Sequence, residues 1–98
     1  MIFAKVIGTV VAARKDENLE GAKLLLCREV DHQGKPLKTY HVAIDAVQAG
    51  EGDMVLVACG SSARMTERTR NMPADAVIMA IIDAVDVEDT TKNAKNRK

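Results

Sequence analysis

The sequence predicts an all-β protein, a small closed barrel of five strands with at most one short helix. Three observations carry that expectation. Five runs are rich in β-branched and aliphatic residues. The segments between them are short and carry turn residues. No stretch alternates strand and helix patterns in the way a parallel sheet with crossover helices requires.

The first strand is expected over Ile2–Ala13, which is apolar and β-branched apart from Lys5, with Gly8 placed where a missing side chain permits a bend or bulge. Lys15–Gly21 is polar and reads as a loop, and Lys23–Val30 follows as the second strand. Asp31–Pro36 holds Gly34 and Pro36, one suited to positive φ and the other to fixed φ, so the chain turns back there. The third strand then runs over Lys38–Ile44 and forms a hairpin with the second. Asp45–Asp53 contains two glycines and reads as a compact connection with at most one helical turn before Gly50. Met54–Cys59 is the fourth strand. Ala63–Asn71 has helix formers but little apolar face, which predicts a loop or a short helix ending before Pro73. Ala76–Val87 closes the set as a fifth strand, apolar on both faces as far as Asp83.

Ninety-eight residues make one domain with a thin core, so burial against other copies is an expected source of stability. Phe3 and Tyr40 are the only aromatic residues, and the interior must be filled by Val, Ile, Leu, Met and Ala. Formal charge is zero, yet Lys92, Lys95, Arg97 and Lys98 crowd the end of the chain. Without those four, ten basic residues face fourteen acidic ones. An acidic body argues against nucleic acid as the main partner. Residues 1–87 are expected to form the barrel, and residues 88–98 a basic, disordered tail. Cys27 and Cys59 lie in apolar runs and read as buried thiols of a reducing cytoplasm, and no segment reads as a signal peptide or membrane span.

Candidate chemistry is sparse. His32, His41, Cys27 and Cys59 lack the close spacing of a zinc site. Ser61 or Ser62 would need a base within reach and a buried helix behind it, whereas Arg64 and a polar segment follow. Gly50–Gly52 and Gly60–Ser62 have no lysine at the spacing that cradles phosphate, so tight turns account for them. No catalytic, cofactor-binding or metal-binding residue is predicted. A small five-stranded barrel also suits an oligonucleotide-binding module, and that class stays open as the alternative, although such sites stack bases on aromatic side chains in a basic groove.

Taken together, the stretches Lys23–Leu26 with Val30, Asp31 and Gly34, Ala43–Val57, Gly60–Arg64 and Pro73–Ile78 through Asp83 resemble the EutN/CcmL family of bacterial microcompartment vertex proteins. They follow one another in the family's order from residue 1 to about residue 87. Two positions depart from it, Gln48 where many relatives have glycine and Cys59 where a small polar residue is common. The resemblance implies an OB-like barrel assembled as a homopentamer. It implies no enzyme activity and no cofactor. The pentamer would fill the corners of a protein shell in the bacterial cytoplasm, among hexameric shell proteins. On that reading Gly60, Ser61, Ser62 and Ala63 are small enough to line or flank a subunit contact or a narrow axial opening. Arg64 is then expected to grip a carboxylate from Asp45, Asp53 or Asp83.

Overall fold

β-Branched and aliphatic side chains draw each of the five runs into an extended, half-buried conformation, and the computed structural model describes residues 1–13, 17–19, 21–60, 63 and 75–88. The strands are β1 (Ile2–Val10), β2 (Leu24–Val30), β3 (Pro36–Asp45), β4 (Met54–Cys59) and β5 (Ala76–Ile81). They close into a barrel in the order β1-β2-β3-β5-β4. A 3-10 turn lies at Glu17–Leu19, between β1 and β2. The all-β class and the five-stranded barrel are as the sequence predicts.

Cross-strand partners share a face, so the register fixes what lies inside. Ala4 opposes Val55, Val6 opposes Cys27, Leu25 opposes Ala43, and Val57 opposes Ile78. All eight are buried, and with Ala49 and Ala76 they make up the barrel interior. A second apolar layer lies outside the wall, where Ile44 and Val77 are covered by Ala22 and Ala63, with Leu19, Leu24, Ala46 and Met79 at its margin. The register of β1 against β2 shifts between Val6 and Gly8, which is the irregularity expected at that glycine.

Strand ends differ from expectation because a partner's length sets them. β1 stops at Val10, which opposes Leu24, the first residue of β2. β5 stops at Ile81 instead of reaching Val87. The Ile82 amide donates to the Met54 carbonyl, and Met54 begins β4, so the ladder has no further partner there. The β2–β3 hairpin turns on Asp31, whose Oδ1 accepts the amides of Gln33 and Lys35 at 2.8 and 2.9 Å. These bonds, led by the one from Lys35, hold the Asp31 carboxyl below its ordinary value of 3.8.

The β3–β4 connection holds no helical turn. Asp45 accepts the amides of Val47 and Ala49 at 3.0 and 3.1 Å, and Gly50 donates to Asp53 Oδ2 at 2.8 Å. Between them Gln48 adopts φ 61°, the left-handed region in which glycine is at ease. The departure noted at Gln48 is therefore a position where glycine fits better. Gln48→Gly is expected to stabilise the protomer by about 0.5 kcal/mol, the relief of strain being partly offset by the freer unfolded chain. The urea midpoint measures it, and an unchanged or lower midpoint would contradict the strain argument.

Candidate assembly surface

Of the Gly60–Arg64 stretch, Gly60 and Ala63 are described, whereas Ser61, Ser62 and Arg64 lie outside the described residues. Gly60 follows the last residue of β4 with φ 68°, and its amide donates to the Asp75 carbonyl at 2.9 Å. That bond ties the end of β4 to the start of β5. Ala63 is fully buried in the outer apolar layer against Ile44 and Val77. The stretch thus leaves the barrel end at an exposed glycine and returns an alanine to cover the wall.

The three expected arginine partners are placed differently. Asp45 is buried and staples the β3–β4 turn, and Asp53 caps the Gly50 amide in the same connection. Asp83 is exposed beyond β5. Cys59, expected to be buried, is exposed. It opposes Ala76 at the last rung of β4 and β5, where the wall ends and no further strand covers it. Cys27 is buried as expected, and burial, reinforced by the negative charge of Asp45, pushes its thiol up to about 11. Such a thiol is a packing group and a poor nucleophile.

His41 meets Glu29 at 2.9 Å, both half-buried, and His32 is exposed in the hairpin turn. Among the described residues no three His, Cys, Asp or Glu side chains gather as a metal site would require. An open depression of about 460 Å³ is lined by Gly21, Lys23, Asp45, Ala46 and Gln48. Lys23 reaches across it to the Ala49 carbonyl at 3.5 Å.

What the barrel does present is apolar surface on its outside. Leu26 opposes Val42, and both face outward because Leu25 and Ala43 face in. Beside them Arg28 opposes Tyr40, with the guanidinium 5.2 Å from the ring centroid and Nε donating to the Leu37 carbonyl at 2.7 Å. Val42 and Tyr40 are each 50% exposed, and Leu37 is 40% exposed. A sheet that is apolar on its outer face as well as inside has a surface suited to another protein. This face was not predicted as a site. Its signal lies in the run Leu24–Cys27, where consecutive aliphatic residues leave neither face polar.

Comparison with known proteins gives a consistent picture. A family model described as ethanolamine utilisation protein EutN/carboxysome matches residues 1–83. The carboxysome shell vertex protein CcmL of Synechocystis sp. is 49% identical over 87 residues, covering 89% of this chain and 87% of that protein. The solved structure of a carboxysome subunit, CcmL, matches with TM-score 0.84 at 49% identity, over 89% of this chain and 91% of that one. The GrpN pentameric microcompartment shell protein from Rhodospirillum rubrum matches with TM-score 0.79 at 39% identity, over 89% and 99% of the two chains.

Proposed function

The chain belongs to the EutN/CcmL family of microcompartment shell vertex proteins, and from that premise we propose that five copies form a ring that caps the corners of a polyhedral shell. The observation that carries this reading is the near full-length match to a shell vertex protein and to a pentameric shell protein of the same fold. The exposed apolar outer face of the barrel supports it physically, since a thin single core gains stability from burial between subunits. A flat array of sixfold tiles cannot close on itself. Fivefold units at the corners supply the missing curvature, so the role is architectural and requires no catalytic group.

Several finer features belong to the same proposal. The shell lies in the bacterial cytoplasm, and the ring's neighbours are hexameric shell proteins. Residues 1–87 form the barrel, and the basic segment 88–98 lies outside it. Gly60–Arg64 flanks the contact between subunits, supported by the exposed glycine turn at the end of β4. Arg64 is matched there with exposed Asp83, because Asp45 and Asp53 already hold turn amides.

Two measurements test the reading. Native mass spectrometry is expected to show a pentamer at micromolar concentration, and a stable monomer would reject the ring. Electron microscopy of cells lacking the protein is expected to show sheets, tubes or leaky shells. Normal closed polyhedra, with no substitute corner protein present, would reject the capping role.

A further inference from the structure

Gly8 lies inside β1 without either internal reason for a glycine. Its φ is outside the left-handed region, so the register shift beside it does not demand a missing side chain, and a Cβ built there meets nothing within 4 Å. A glycine within a strand weakens it, and a recurring use for one is to let a ligand or another chain approach the backbone closely. Gly8 opposes Leu26, which opposes Val42, so the outer face carries a notch beside two aliphatic side chains. The adjoining row across the same three strands is Lys5, Arg28 and Tyr40. An apolar notch with a basic margin calls for an apolar side chain accompanied by carboxylates.

This chain carries such a segment. Beyond β5, Asp83 and Asp86 are exposed and Val87 is 57% exposed. In the order β1-β2-β3-β5-β4, β5 borders neither β1 nor β2, and its end is tied to Met54, which opposes Lys5, so the segment leaves the wall one strand away from the strands that carry the notch. Rings built by cyclic symmetry need two different, complementary patches on each copy. We propose that the Asp83–Val87 segment of one copy docks on the outer β1-β2-β3 face of the next, with Val87 entering the Gly8 notch and the Asp86 carboxylate along the Lys5–Arg28 margin. This assignment rests on the pentameric reading and names the surfaces that make it.

The test uses the full chain and follows ring dissociation by sedimentation and native mass spectrometry, with circular dichroism to report the fold. Gly8→Leu fills the notch from within and is expected to raise the dissociation concentration about tenfold or more while the barrel stays folded. Lys5→Glu and Asp86→Lys are each expected to weaken the ring, and the double variant Lys5→Glu with Asp86→Lys to recover most of the loss. Should Gly8→Leu impair folding, the charge pair decides, since both its side chains are exposed. Rings as tight as the parent's from Gly8→Leu and Lys5→Glu would overturn the docking assignment and leave the pentamer standing. Failure of the double variant to recover would overturn the pairing of these two surfaces, and a monomeric parent would overturn the ring itself.

Discussion

Leu25→Ala is expected to destabilise the protomer by about 3 to 5 kcal/mol, the upper part of the range for emptying a large buried aliphatic site. Leu25 is 1% exposed and ranks first by volume among the fully buried side chains. Its neighbours are a poor source of repair. Ala43 opposes it directly, and much of the interior consists of alanine and valine on strands held by their own ladders. Short side chains on a fixed wall cannot swing in to fill a void, so most of the cavity should persist. A domain of this size has a total stability of roughly 5 to 15 kcal/mol, so the loss is a large share of it. Urea denaturation at matched protein concentration measures the effect. A loss below about 1.5 kcal/mol would show that the barrel collapses around the site.

Asp45→Ala should cost about 2 to 4 kcal/mol, through amides left without a partner. The Asp45 carboxylate accepts from Val47 and Ala49, and Ala49 is 1% exposed, so water cannot readily replace the lost acceptor. Asp45→Asn keeps a carbonyl oxygen in place and should cost much less. Both substitutions remove the negative charge that raises the Cys27 thiol. In a Cys59→Ser background, the pH profile for modification of Cys27 should therefore move down in both variants. It should remain above the ordinary value of 9.0, because burial is the larger cause. Equal stability of the alanine and asparagine variants would show that the amides find other partners. An unmoved thiol profile would remove Asp45 from the account of Cys27.

Strand existence was legible because burial inside a barrel demands β-branched and aliphatic residues at alternate positions, and Val6, Leu25, Val55, Val57 and Ile78 supply them. Strand length was not, because it depends on where another strand begins. The expected strand Ala76–Val87 still offers Ile82, Ala84, Val85 and Val87 past Ile81, yet β4 offers no rung past Met54. Cys59 shows the same limit: an apolar run predicts burial, while its place on the last rung exposes it. The left-handed turn at Gln48 was visible only as a departure from the family's glycine. The outer face at Leu26 and Val42 was hidden because a run such as Leu24–Cys27 reads simply as buried strand. Nothing local says that one of its faces points away from the interior.

β3 and β5 join through a parallel seam of two residue pairs, Ile44 with Val77 and Asp45 with Ile78, whereas the other four junctions are antiparallel. The seam links residues far apart in the chain, so closing it incurs loop entropy that the β2–β3 hairpin largely avoids. A protomer in which the seam has not closed is an open ribbon with bare margins on β3 and β5 and with Ile44 and Val77 uncovered. Those margins match the same strands of any other newly made copy. Where many copies are made together, closure of this two-pair seam within one chain competes with strand exchange between chains, and its shortness leaves little pairing on the side of closure.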